Sequence, residues 1–351
     1  MKSGRVRCNK GCPCKNTKKK NMKQKVYSFN SELLKVTGVQ KVLMDVHHAV
    51  KEDYDAKIVG TIPFGDIHQD LNIHKTEYVK FKNPFMFRNS IVILHERKFL
   101  AFFWLLNHVF FQNIKLVYIH HNVFSNHRWM SIMPETVVAI SDEGVRNLHE
   151  FFGVPMIHIH KIYNCVKDIH PKPHKIYNGG VVKILYPARI NGQKRQLEVV
   201  EHLKGKLNEH VKILFAGIGP DFEKLKELIK GDSHFECLGY RSDIYDLLQE
   251  CDYMMLFSEH EGLPISLIEA EMMGTPVICS DVGGNSEVVK NTINGFVIDK
   301  ADWRGLSECL NTLSNTSSKY AKFVSEGRKL YERHFTFSKF KEKYLNLLDK
   351  L

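Results

Sequence analysis

The chain lacks any apolar run long enough to cross a bilayer. A helical span needs roughly 20 such residues. The longest candidate, Phe99 to Phe111 (FLAFFWLLNHVFF), is thirteen residues broken by Asn107 and His108. It reads either as a buried helix of an α/β domain or as a patch that dips into a membrane surface. No apolar segment follows the basic first residues, so no secretory signal is expected. Cysteine is scarce, eight in 351 residues, and Cys165, Cys237, Cys251, Cys279 and Cys309 are scattered among apparent folded elements. That excludes a disulfide scaffold and places the body in a reducing, cytoplasmic setting. Acid is missing from residues 1–24, which carry Lys2, Arg5, Arg7, Lys10, Lys15, Lys18, Lys19, Lys20 and Lys23. The remaining residues hold 41 basic and 39 acidic side chains, so the net charge of +11 resides mainly in this arm.

The arm also lacks apolar periodicity, and disorder is expected there. It is too short and too poor in aromatics to specify a nucleic-acid site. It suits contact with an anionic lipid surface. An alternative is that translation starts at Met22, directly before the first strand. Cys8, Cys12 and Cys14 are one ligand short of a closed zinc site and have no histidine beside them.

What is present is alternation. Short apolar runs of strand length are followed by helical patterns, first over residues 25–166 and again over 181–332. In the first stretch the strands are expected at 25–29, 56–61, 76–81, 91–94, 115–119, 136–140 and 155–162, with helices after Val39, over 99–111 and up to Phe152. In the second they are expected at 182–186, 211–216, 234–238, 252–257, 276–279 and 295–298. Residues 167–180, rich in Pro, Gly and His, read as the linker. A helical pattern runs from 306 to 351. Alternation of this kind predicts α/β architecture: two Rossmann-like domains with parallel sheets facing across a cleft.

The most informative stretch runs from Asp252 to Glu287. A strand ends near Phe257, a loop carries Glu259 and Glu261, and Pro264 opens a helix that Gly274 stops. A second short strand then feeds the Gly283–Gly284 loop. In a parallel sheet with helical crossovers, strand-to-helix loops gather at one edge, and ligands bind there. The helix after Pro264 points its N-terminus at that edge, where free N–H groups and the dipole favour a phosphate. The same edge receives Arg189 and Lys194, Gly217 and Gly219, and Gly239–Tyr240. Cations and close-approach glycines suit a diphosphate, and carboxylates suit sugar hydroxyls. Together they describe a nucleotide diphosphate sugar.

The residues Glu261–Gly262–Leu263–Pro264, Glu269–Ala270, Gly274–Thr275–Pro276, Gly283–Gly284 and Asn294–Gly295 resemble the retaining glycosyltransferases of family 4. That resemblance implies the GT-B fold, a donor domain over 181–332, an acceptor domain over 25–166, and a C-terminal helix, 333–351, crossing back to the acceptor domain. It implies roles by position. Arg189 and Lys194 hold the diphosphate. Glu261, with Gly262 and Leu263 beside it, meets the transferred sugar, and Glu269 meets the ribose. The glycine loop of the acceptor domain is Thr37–Gly38–Val39, with Gly38 against the donor. His121 lies near the sugar, one residue from His120. The chain differs from the family pattern at Thr37, at Asn122 and at Asn164–Cys165.

The reaction implied is transfer of a sugar, with retention, to an acceptor hydroxyl in polysaccharide or glycolipid synthesis. No cofactor or metal is expected, because Arg, Lys and a helix dipole can meet the diphosphate charge. The expected partners are a nucleotide sugar, a saccharide or lipid-linked acceptor, and an anionic membrane surface touched by residues 1–24 or 99–111, with a peripheral place at the inner face of the membrane. Two other readings are a sugar-nucleotide 2-epimerase on the same fold and a non-catalytic nucleotide-sugar-binding protein.

Overall fold

The computed structural model describes residues 23–126, 128, 131–171 and 180–351. The readings made for the arm before residue 23, for Cys8, Cys12 and Cys14, and for the centre of the linker fall outside them. Two parallel sheets organise the chain. The first has seven strands: β1 (Lys25–Phe29), β2 (Asp55–Gly60), β3 (Tyr78–Lys80), β4 (Ile91–Leu94), β5 (Lys115–His120), β6 (Thr136–Ala139) and β7 (Ile159–Lys161), in the order β3-β2-β1-β4-β5-β6-β7. The second has six: β8 (Val182–Pro187), β9 (Val211–Ala216), β10 (Phe235–Gly239), β11 (Tyr253–Leu256), β12 (Val277–Ser280) and β13 (Gly295–Ile298), in the order β10-β9-β8-β11-β12-β13. In each sheet the order reverses between the first and fourth strands. The loops after β1 and β4, and after β8 and β11, therefore diverge and leave a crevice.

Helices cover both faces of the first sheet. The helices α1 (Gly38–Val50), α2 (Leu100–His108) and α3 (Asp142–Arg146) belong to this half. Strand alternation sends Val26 to the face covered by α1 and Tyr27 and Phe29 to the face covered by α2. Several expected elements are shorter than the pattern read, among them the strand expected at 76–81, which keeps only Tyr78–Lys80. The helix expected over 99–111 ends at His108, because Phe111 (φ 47°) and Asn113 (φ 52°) enter the left-handed region and turn the chain towards β5. The helix expected to reach Phe152 breaks after Arg146 into a π-helical turn, Asn147–Phe151. The strand expected over 155–162 keeps only Ile159–Lys161, since residues 156–158 form a 3₁₀ turn.

The second half carries α4 (Gln196–Leu203), α5 (Phe222–Leu228), α6 (Ile244–Glu250), α7 (Ile265–Met273), α8 (Asn285–Val288), α9 (Trp303–Asn311), α10 (Ser318–His334) and α11 (Phe337–Leu348). As expected, α7 starts after Pro264 and stops at Gly274, whose φ of 72° no other residue adopts as readily. The C-terminal helix α11 lies against α1, with Phe340, Tyr344, Leu347 and Leu348 in the apolar cluster that holds Val42, Val46 and Val50. Lys341 pairs with Glu52, and the Tyr54 hydroxyl donates to Asp349.

Candidate active site

The crevices of the two sheets face each other and enclose a cavity of about 1270 Å³. Its walls are loops that close backbone approach forces to be glycine. A Cβ on Gly217 would stand 2.1 Å from the Ala188 carbonyl oxygen, and one on Gly219 2.1 Å from that of Ile190. These glycines let the loop after β9 lie on the loop that carries Arg189. Gly283 and Gly284 do the same beneath the Glu261 loop: a Cβ on Gly283 would meet the Glu261 carbonyl oxygen at 2.0 Å, and the Gly284 N–H donates to the Gly262 carbonyl at 2.7 Å. Gly262 in turn brings the domains together, for its Cβ would sit 2.4 Å from the His121 carbonyl oxygen. Gly38 is different. A Cβ there meets nothing within 4 Å, so the protein's own packing does not demand glycine, and the N-terminus of α1 opens onto the cavity.

Lys194 is placed by a short turn after β8. The Asn191 side chain caps that turn at the Lys194 N–H, 3.0 Å. The buried Tyr186 hydroxyl donates to the Lys194 carbonyl and accepts from the Phe257 N–H at 2.9 Å, tying the turn to the end of β11. From there the loop reaches Glu261, whose carboxylate pairs with the Lys194 ammonium. Both groups are largely buried, with side-chain exposures of 8% for Glu261 and 20% for Lys194. The exposed Arg189 also lines the cavity, and its guanidinium makes no ion pair among the described residues. Ile265 and Ser266, at the start of α7, complete this wall; no side chain caps the helix, which leaves its first N–H groups for a ligand.

Glu269 lies on the same helix, facing the other domain. Its Oε1 accepts from Lys41 Nζ on α1 at 3.2 Å and from the Tyr245 hydroxyl at 3.3 Å. Burial and the neighbouring carboxylate raise the Tyr245 pKa, so the phenol stays a donor. Lys41 thus bridges the cleft. On the same helix, Asp45 is pushed up to about 7 by burial, with Lys167 and Lys41 opposing and Glu269 adding to the shift.

His121 lines the cavity and His120 does not. His120 faces away, its Nε2 at 3.0 Å from Asn147 Oδ1. The His121 ring stacks on His95 at 5.3 Å between centroids, and its Nε2 meets His95 Nδ1 at 3.1 Å. Burial first, then the neighbouring imidazole of His120, depresses His121 to about 3, so it is neutral at working pH. Its Nδ1 has no hydrogen-bond partner among the described residues. Asn164 reaches Leu263, its Nδ2 donating to that carbonyl at 2.9 Å. Glu287 crosses between domains as well, accepting from the Asp142 N–H at 2.6 Å.

Every residue singled out from the sequence for the site therefore borders one cavity: Gly38, His121, Arg189, Lys194, Glu261, Gly262, Leu263 and Glu269. Sequence reasoning missed Lys41 and Tyr245. Lys41 had one signal, a cation one turn inside a helix whose start lies at the ligand edge. The chain's Asp-x-Asp run, Asp53–Tyr54–Asp55, opens β2 at the sheet edge opposite the cavity. Among the described residues no three His, Cys, Asp or Glu side chains are grouped to hold a metal.

Two parallel sheets of this order, meeting at a cleft with a basic wall and acidic ends, define a GT-B protein. Residues 168–330 match the family described as "Glycosyl transferases group 1". The chain is similar to the putative glycosyltransferase EpsD of Bacillus subtilis, 30% identical over 42% of this chain and 40% of that protein. It is also similar to the N,N'-diacetylbacillosaminyl-diphospho-undecaprenol alpha-1,3-N-acetylgalactosaminyltransferase of Campylobacter jejuni, 31% identical over 64% of this chain and 57% of that one. The chain thus spans about half the length of these relatives. Among solved structures, HepE of Anabaena in complex with UDP superposes with a TM-score of 0.81 at 18% identity, over 93% of this chain and all of that one, a likeness of fold. Among the described residues no helix is long and apolar enough to cross a membrane.

Proposed function

We propose that the protein is a retaining, metal-independent glycosyltransferase that moves a hexose-type sugar from a nucleotide diphosphate donor to a hydroxyl of a saccharide or lipid-linked acceptor. It would act in polysaccharide or glycolipid synthesis, at the cytoplasmic side of a membrane. The observation that carries this reading is the convergence in one cavity of an unpaired guanidinium, a Lys–Glu pair and an uncapped helix N-terminus, with a second carboxylate further along the same helix. The likeness to group 1 transferases, several named for polysaccharide or lipid-linked oligosaccharide assembly, supports it.

Arg189, the Lys194 ammonium and the first N–H groups of α7 hold the diphosphate. Glu269 accepts from the ribose hydroxyls. Glu261, fixed by Lys194, accepts from hydroxyls of the transferred sugar and orients it. The exposed Tyr240 ring, on the same cavity wall, offers a face for the base. The bond from the anomeric carbon to the diphosphate oxygen breaks while the acceptor oxygen bonds to the same face of that carbon. The acceptor proton passes to the departing phosphate oxygen. The protein stabilises the charge that grows on the leaving group; such donors are worth roughly 3–4 kcal/mol each. His121, neutral, presents Nδ1 to the sugar and takes no part in proton transfer.

A thermal-shift screen of nucleotide diphosphate sugars tests the reading. The cognate donor at 100 times its dissociation constant adds about 2.7 kcal/mol of stability. Proton NMR of the reaction then reports the configuration of the new glycoside. Failure of every nucleotide sugar to stabilise the protein would remove the donor site. An isomerised free sugar formed without acceptor would point to epimerisation instead.

A further inference from the structure

One face of the acceptor domain is finished differently from the rest of the surface. Helix α2 buries Leu100, Phe103 and Leu106 against its sheet. An ordinary surface helix would turn charge outwards. Here the outward positions are Ala101, Trp104, Leu105 and His108, with Trp104 39% and Leu105 42% exposed. The chain then runs on through Val109, Phe110 and Phe111, which are 52%, 48% and 78% exposed. Phe85, from the segment before β4, joins them, its ring edge-on to Phe110 at 6.1 Å. Scattered apolar residues on a surface need no explanation, but a contiguous strip of six does.

The backbone supplies a second, independent observation. Phe111 is held at φ 47°. After a helix C-terminus that conformation is the natural place of glycine or asparagine, and a bulky side chain there is strained. The ring of Phe111 recovers nothing from the protein's interior, since it is the most exposed of the strip. The cost of keeping an aromatic at this point is offset by nothing inside the fold.

The charge along this stretch of the chain is one-sided. From residue 80 to 118 the chain carries Lys80, Lys82, Arg88, Arg97, Lys98 and Lys115 against a single acid, Glu96. That acid is already engaged by Lys98 at 2.9 Å and by the Ser31 hydroxyl at 2.8 Å. Lys80, Lys82, Arg88 and Lys115 are exposed and make no ion pair among the described residues. An aromatic strip with a tryptophan, in a stretch of chain whose exposed cations outnumber its acids, complements the headgroup layer of an anionic bilayer. A protein partner of ordinary composition would leave those cations facing mixed charge.

We propose that the outward face of α2, with Val109–Phe111 and Phe85, docks the protein on a membrane rich in anionic phospholipid. Of the two regions read from the sequence as lipid contacts, this assigns the contact to the apolar one and narrows it to one helix face and its exit. Docking along α2 would lay the bilayer on the sheet face opposite α1 and α11. Because α2 starts at the end of β4, beside His95, the docked surface would run up to the rim of the cleft. The proposal stands independently of the transfer reaction.

Sedimentation of the full chain with vesicles of phosphatidylcholine, alone or mixed with phosphatidylglycerol, tests it. The expected result is binding to the mixed vesicles that weakens with added salt. Phe110→Ser with Phe111→Gly should lower partition on the order of tenfold. Lys82→Glu with Arg88→Glu should remove the preference for anionic vesicles, by about fivefold or more per residue. Phe111→Gly alone should fold at least as stably as the parent, so a loss of binding in it is not a loss of structure. Unchanged binding in these variants would overturn the proposal, as would no binding by the parent or a lowered Tm for Phe111→Gly. A parent chain that is a dimer by light scattering, and that the phenylalanine changes split, would show that a second copy covers this face instead.

Discussion

Replacing Glu269 tests the donor site most directly, because its consequences differ for two ligands that differ by two oxygen atoms. The carboxylate is nearly enclosed, with 11% of its side chain exposed. Oε1 already accepts from Lys41 and Tyr245, at 3.2 and 3.3 Å, and the carboxylate keeps lone pairs for a ribose diol. A hydrogen bond to a charged group contributes roughly 1.5–3 kcal/mol net. Two of them sharing one carboxylate give about 3 kcal/mol, or about 150-fold in affinity. Lys41 competes for the same group, but it is 51% exposed. An exposed ion pair is worth at most about 1 kcal/mol, so its release offsets only about fivefold. The parent should therefore bind the cognate nucleoside diphosphate about 30-fold more tightly than its 2′,3′-dideoxy analogue. Glu269→Ala should lose that discrimination by weakening the ribonucleotide and leaving the analogue nearly unchanged. Glu269→Gln should fall between. Isothermal titration of the four protein–ligand pairs closes a double-mutant cycle. If Glu269→Ala weakens both ligands alike, or keeps the discrimination, the ribose is not at Glu269 and the donor has been placed the wrong way round.

Other substitutions separate binding from chemistry. Arg189→Ala is expected to lower kcat by about 100-fold with a smaller change in nucleotide affinity, since its guanidinium serves charge that grows during bond breaking; turnover measured beside titration shows the split. Gly262→Ala would force its Cβ against the His121 carbonyl, so the domains must part; activity should be lost while nucleotide binding to the second domain persists, which titration and turnover together distinguish. Asp45 gives a pH dependence of definite sign. Its folded-state pKa, about 7, lies above the ordinary 3.8, so the folded protein holds this proton more tightly than the unfolded chain. Stability from this group is thus fully present at low pH and declines as pH rises between those values. The loss above pH 7 approaches about 4 kcal/mol, an upper limit because the group is partly solvated. Asp45→Asn should raise Tm at pH 8 and bring no gain at pH 4; equal gains at both would refute the burial argument.

The repeating pattern of strands and helices was readable because it is local. β4, β9 and β13 begin and end where apolar periodicity placed them, and Pro264 and Gly274 mark α7 by rules of backbone geometry alone. The donor wall was readable for the same reason: each group sits a fixed few residues beyond a strand. What could not be read is what packing decides. Lys41 and Glu269 are 228 residues apart, and nothing in either neighbourhood announces the other. The stacking of His121 on His95 depends on two strands lying side by side. The end of α2 was overrun because Val109, Phe110 and Phe111 continue the apolar composition while the backbone has already turned. Composition carries no information on φ, and an exposed aromatic looks the same in sequence as a buried one.

The placement of α11 governs when the first domain can mature. Its apolar side chains shield Val42, Val46 and Val50 of α1, yet they emerge from the ribosome almost 300 residues later. At roughly 5–20 residues per second, that delay is on the order of 15–60 s. Through that interval the nascent amino-terminal lobe exposes the greasy groove that its own distant carboxy-terminal helix later fills. Chaperone dependence during synthesis, and slow refolding from denaturant that speeds up when α11 is supplied as a free peptide, are the consequences to look for.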